Sequence, residues 1–368
     1  MISRRRFLAA TAGALAARAD TLGPGLIYVG ALQGRILIID ETQHKIVGEI
    51  PLKTGIPRGL RYSYDRKKFY LTTPKDNGFE VIDIASRQVV HHFVLNEGNR
   101  RVQLQGYAPD PQDRLLYARI RASTKQIDRF ELEKPKFAII DIQQGKITKT
   151  VDVPETEGKP INTGGFRVTP DGKFLYSFAG DVRIFDTADF KQVEMIELSK
   201  PLYPGMANIG FGPRDYFYDD DDHDSVTGIF NSTDAIVRRS VAGIARFDLI
   251  KRTFDFTPVG PSADAGMFSL QVTPDRKTGY TMSFHGSIGN QRREFWVFDM
   301  PSRAVTKRVE VEGPPSFGFV LSGDGKRIYM NAPLPAWPVY DAETLRRSGT
   351  IAINADVTTQ PLVIPRRS

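Results

Sequence analysis

Short apolar runs, separated by turns rich in Gly, Asp and Pro, make up most of this chain. Val168 to Thr187, VTPDGKFLYSFAGDVRIFDT, shows the order: an apolar run, a PDGK-type turn, a run carrying a tyrosine, a second turn, and a run closed by an aspartate. The same order returns in YSYDRKKFYLTTPKDNGFEVIDI from Tyr62, VTPDRKTGYTMSF from Val272 and LSGDGKRIYMNAPLPAWPVYDA from Leu321. The runs favour Val, Ile, Phe and Tyr, and helical periodicity is nearly absent, so strands are expected throughout.

Counting the unit defines the architecture. Its tyrosines are Tyr28, Tyr70, Tyr117, Tyr176, Tyr218, Tyr280 and Tyr329, and its aspartates are Asp40, Asp83, Asp141, Asp186, Asp248, Asp299 and Asp341. Each aspartate follows an apolar residue and has Lys or Arg four or five places later. Successive aspartates are 43, 58, 45, 62, 51 and 42 residues apart. A period near 40 to 50 residues with several strands per unit predicts a β-propeller. The reading is therefore all-β, with seven four-stranded blades: strand a before the PDGK turn, b with the tyrosine, c ending at the aspartate, and d after it. The aspartates are expected to accept backbone N–H bonds in the c–d turn. The chain opens on a b-type strand, LIYVG from Leu26, and ends on an a-type strand in VTTQPLVIP from Val357. Their pairing would close the ring and hide two strand edges.

With VTPDGKFLY, FEVIDIASRQVV and FAIIDIQQGKI as its clearest copies, the repeat resembles the YVTN-type seven-bladed propellers along nearly the whole chain. It is also similar to the propeller subunits of quinoprotein amine dehydrogenases. That resemblance implies a platform whose redox cofactors reside in partner subunits; some related propellers hydrolyse lactones. No family-specific catalytic motif is matched, and the fold itself hosts unrelated activities.

Residues 1–19 stand apart. SRRRFL, Ser3 to Leu8, a short apolar run and Ala17-Arg18-Ala19 read as a twin-arginine export signal, leaving residues 20–368 as one propeller domain in the periplasm or outside the cell. Its removal takes Arg4, Arg5, Arg6 and Arg18 away and lowers the formal charge from +7 to +3, which weakens any case for nucleic-acid binding. With no cysteine, disulfides, thiolate metal sites and cysteine nucleophiles are excluded.

Candidate chemistry gathers where the repeat is interrupted. From tyrosine to aspartate the spacing is 10 to 13 residues in four units but 24, 30 and 19 in units three, five and six. These insertions, RIRASTKQIDRFELEKPK, DDDDHDSVTGIFNSTDAIVRRSVAGIA and SFHGSIGNQRRE, are expected on the single face that bears the b–c and d–a connections, where loops on a rigid scaffold bind ligands. Asp220, Asp222 and Asp224 alternate so that three carboxylates would face one hard cation such as Ca2+. His223 and His285 are expected to meet across the channel mouth, suited to acid–base work or metal ligation. Arg58, in IPRGL, is placed to hold an anionic group at that mouth, and Trp337, in PLPAWP, to lie exposed and stack on a ligand.

The sequence thus points to an exported binding or scaffold propeller with a ligand or protein partner on its insertion-bearing face. Two alternatives remain: a subunit of a periplasmic quinoprotein dehydrogenase, and a lactonase-type hydrolase.

Overall fold

The computed structural model describes residues 22–74, 77–154, 165–198, 200, 206–211, 222–233, 236, 239–261, 267, 270–286, 290, 292–311, 318–331 and 335–367. They form seven antiparallel sheets arranged as a ring, and each sheet runs a-b-c-d outward from the axis. Blade two is representative, with strands Gly59–Tyr62, Lys68–Thr73, Gly78–Asp83 and Gln88–Val94. Blade three adds a short fifth strand, Phe130–Leu132. No helix among the described residues is long and apolar enough to cross a membrane.

Closure follows the expected route. Leu362–Arg367, the a strand of blade one, pairs antiparallel with Leu22–Ala31, its b strand. Two chain ends therefore share one sheet, and the ring has no open blade.

The repeated residues have distinct jobs. Every repeat aspartate accepts hydrogen bonds from its own c–d turn; Asp40 takes the N–H groups of Thr42 and Gln43, and Asp248 those of Ile250 and Lys251. The other five bind Ser86, Gln144, Ala188, Ser302 and Thr344 N–H. Four residues after each aspartate the backbone turns left-handed, with φ from 53° at His44 to 63° at Gly145. This tight turn would leave N–H groups pointing at nothing without the carboxylate, which explains why the aspartate is repeated.

The tyrosine links blades. On strand b it faces the next sheet and reaches that sheet's turns: Tyr176 donates to the Leu249 carbonyl (2.6 Å), Tyr280 to the Ala342 carbonyl (3.2 Å) and Tyr70 to the Asp113 carboxylate (2.9 Å). Residues one step along the strand face the previous blade instead. Thus Leu71 packs with Tyr28 and Ile38 of blade one, while Tyr70 packs with Leu116 and Ile120 of blade three. The core is accordingly seven seams of side chains between sheets, each fully buried Phe or Leu contributing about 1.5–3 kcal/mol by burial.

Blade five departs from the expected register. Ser225 pairs with Asp248, so Thr227 occupies the tyrosine position, two residues further along strand Ser225–Thr233. Tyr218, expected there, lies outside the described residues. The acidic run therefore belongs to the a–b connection between Ala207–Gly210 and Ser225–Thr233, not to the b–c insertion. A tyrosine at roughly the right distance had imitated the repeat, while the hairpin pairing set the true alignment.

Candidate functional site

The two ends of the ring carry different material. One bears the a–b and c–d turns; the other bears the b–c hairpins and the d–a crossings. Blades three, five and six extend beyond the rest at the second end, with long b–c hairpins ending near Lys125, Thr233 and His285. Within blade three's extension, Arg100 grips Glu133 through two parallel bonds (2.6 and 2.9 Å) and holds the insertion against the sheet. Ile127, Phe130 and Leu132 project from it into solvent.

Arg58 arrives at this same end. It precedes strand a of blade two, its N–H bonds to the Thr72 carbonyl (2.9 Å), and its side chain is exposed. Beside it opens a cavity of about 280 Å³ lined by Arg58, Arg61, Thr72, Pro74, Leu104, Gln105 and Tyr107, among others. Arg61 crosses from blade two to blade three, donating to the Tyr107 carbonyl (2.6 Å) with its guanidinium over the Tyr107 ring. Gln105 sits at a bulge in strand a of blade three, and its buried Oε1 has no hydrogen-bond donor. No carboxylate lines this cavity among the described residues. Its chemistry is cationic, with one waiting acceptor and apolar walls.

The histidines do not share a site. His285 ends strand b of blade six at the hairpin end of the ring. His223 lies in the a–b connection of blade five at the opposite end, where its ring stacks on Tyr64 of blade two at 3.9 Å. That contact joins blades two and five, so Asp222–Asp224, the described end of the blade-five connection, reaches across the turn-bearing face. There, a small void of about 30 Å³ is lined by Arg61, Tyr64, Arg167, Asp222 and His223. Burial, with the negative charges of Asp224 and Asp113, pushes the Tyr64 phenol up to about 12.

His285 is held within a seam cluster. Its Nε2 lies 3.0 Å from Ser283 Oγ and 3.3 Å from Glu294 Oε2, and Trp296 Nε1 also donates to Glu294 (2.6 Å). A serine nucleophile and its orienting carboxylate need opposite ring nitrogens. Here both crowd one nitrogen, and Ser283 is fully buried. The cluster ties blade six together at the hairpin end.

Of the three carboxylates expected around a cation, Asp222 and Asp224 are among the described residues. Asp220 lies outside the described residues. Asp222 accepts from Ser225 Oγ (2.6 Å) and the Asp224 N–H (3.0 Å) and pairs with Arg246 (3.3 Å). Burial pushes its carboxyl up, but the Ser225 and Asp224 hydrogen bonds and the Arg246 charge outweigh this and hold it below the ordinary range. No group of three or more metal-ligating side chains forms among the described residues.

Trp337, expected at the surface, is fully buried between blades seven and one with Val29, Leu37, Tyr329 and Ile351. The proline-rich context suggested a loop, but Ala336–Asp341 is strand c, and the Ala336–Ala352 pairing turns the indole into the seam. Arg61 and Gln105 were missed from sequence. An arginine within an inner strand was the only signal for the first, and residue type gave none for the second.

No protein-family model and no curated protein sequence matches this chain. Solved structures do. One is titled "Dihydro-heme d1 dehydrogenase NirN in complex with DHE"; it is 14% identical with a TM-score of 0.52, over 98% of this chain and 77% of that one. A functionally unknown protein from Desulfotomaculum acetoxidans DSM 771 is also 14% identical with a TM-score of 0.52, over 91% of this chain and 99% of its own. Such likeness is one of fold, and with the blades counted above it makes this chain a seven-bladed β-propeller.

Proposed function

We propose that this protein is an exported binding propeller that takes a small anionic ligand at the hairpin end of its channel. The carrying observation is the cavity of about 280 Å³ in which Arg58 and Arg61 stand beside the unpartnered Gln105 acceptor, with no carboxylate among the described residues of the lining. Ligand cavities typically run to about 300–1,000 Å³, so this one suits a small molecule. An anion would pair with the free Arg58 head, a donor group would satisfy Gln105, and Leu104 and Pro74 would cover an apolar body. Calorimetric titration of the mature protein with a panel of small hydroxy- and amino-carboxylates tests this reading. Arg58→Ala should weaken the best binder by about 1.5–3 kcal/mol, the usual worth of a hydrogen bond to a charged group; equal affinity in parent and variant would reject it.

A second reading is favoured by the exposed apolar tip of blade three, where Ile127, Phe130 and Leu132 lie on the same end of the ring. They suit a partner subunit, and the resemblance to quinoprotein dehydrogenase propellers makes a cofactor-bearing chain the expected one. Co-purification of such a chain from native cells, lost on Phe130→Glu, is its test. The hydrolase alternative has less support, since His223 and His285 sit at opposite ends. Export rests on the Arg4-Arg5 pair; a double lysine replacement should retain the protein in the cytoplasm.

A further inference from the structure

Blade three carries a charge where the other blades carry none. Two residues past the seam-tyrosine position, strand b holds Gly30, Thr72, Phe178, Ile229, Met282 or Asn331 in the other six blades, and Arg119 in blade three. The repeat therefore does not demand a cation here.

Arg119 is 7% exposed. Strand alternation fixes the side it faces. Tyr117, two residues before, packs with Phe166 and Leu175 of blade four, whereas Leu116, Ala118 and Ile120 pack on the blade-two side. Arg119 is thus in the seam between blades three and four, towards the hairpin end. Its Nε and Nη1 are buried without a hydrogen-bond partner. Burial and the like charge of Arg121, two residues on along the same face, both disfavour the charged guanidinium. On the facing sheet, Ser177 is fully buried and its Oγ also lacks a partner. It points to the same seam, because Tyr176 and Phe178 on either side of it face blade five.

An unpaired buried charge is among the costliest features a fold can carry, and native proteins pair such groups or give them a ligand. We infer that the hairpin end of the seam between blades three and four binds a small carboxylate or oxyanion, with Arg119 as its buried anchor and Arg121 at its rim. The planar guanidinium, with fixed donors, suits a two-oxygen acceptor better than a halide. This site is separate from the Arg58 cavity, which opens between blades two and three, and neither depends on the other.

The test uses the mature protein in thermal-shift and calorimetric titrations with succinate, inorganic phosphate and chloride at matched ionic strength. A saturable stabilisation by succinate or phosphate, absent with chloride, is expected; the stronger of the two identifies a carboxylate or a free oxyanion as the natural chemistry. Arg119→Met should abolish the response, and without ligand it should melt at or above the parent temperature, since it no longer buries a lone charge. All proteins compared, the parent included, carry Arg58→Ala, so that anion binding at the cavity between blades two and three does not contribute; Arg292→Ala, an exposed arginine of blade six outside both sites, should leave the response unchanged. Should Arg119→Met not fold, Arg119→Lys decides: it keeps the charge but loses the fork and should bind about tenfold more weakly. No saturable response in the parent, a response kept in Arg119→Met, an unchanged affinity in Arg119→Lys, or a loss in Arg292→Ala would each overturn the assignment.

Discussion

Tyr176→Phe removes one oxygen from the seam between blades four and five. The lost group donates at 2.6 Å to the Leu249 carbonyl, and both residues are almost wholly buried. Packing is otherwise kept, because Phe247 and Phe178 hold the same ring at 5.7 and 6.3 Å. The cost is therefore the hydrogen bond plus the desolvated carbonyl left without its donor, about 1–3 kcal/mol. Unfolding entropy of about 2 cal/mol/K per residue over roughly 350 residues makes each kcal/mol worth about 1–2 °C in Tm. Scanning calorimetry should thus find Tyr176→Phe melting about 1–4 °C below the parent. The Tyr280 bond to Ala342 is longer, at 3.2 Å, so Tyr280→Phe should lose less. An unchanged melting temperature for Tyr176→Phe, or a larger loss in Tyr280→Phe, would refute the blade-to-blade link and leave the tyrosine as packing alone.

Other outcomes follow from the same structure. Trp337→Ala should cost about 3–5 kcal/mol, measured by urea denaturation, because it empties a fully buried site between blades seven and one. Turn hydrogen bonds from Ser86, Lys251 and Thr344 hold the carboxyls of Asp83, Asp248 and Asp341 below the ordinary range. Their folded values are depressed, so their contribution is present above the ordinary carboxylate range and disappears as pH falls through the lowered values; melting temperature should drop with acid over that window. Glu41 runs the other way. Burial raises its carboxyl despite N–H bonds from Gly25 and Gly323, so stability from this group is full at low pH and declines as pH rises through the raised value. Glu41→Gln should remove that decline, as read by Tm against pH.

The ring was legible because each unit obeys local rules that sequence displays directly. A carboxylate must close a left-handed c–d turn, a PDGK-type turn must precede strand b, and apolar runs must fill both faces of a sheet buried between two others. The candidate site was less legible. Arg58 was found because it stands at a strand entrance beside a glycine, where the backbone leaves room at the channel. Arg61 and Gln105 were not, since their importance comes from the Tyr107 carbonyl and from a bulge, and neither is marked by residue type. His223 was misplaced by a tyrosine that imitates the repeat, and Trp337 by prolines that a strand c tolerated.

What this sequence determines by itself is periodicity: seven copies of a turn chemistry, two complementary ends that must join, and apolar surface that only a ring of sheets can cover. Tertiary structure decided which end of the ring each long connection occupies, which side chain enters which seam, and where a cation is buried without a partner. The reason is physical. Turn and strand preferences act between residues a few positions apart, whereas a cavity or a lone buried charge is made by residues from different blades, brought together only when the ring closes.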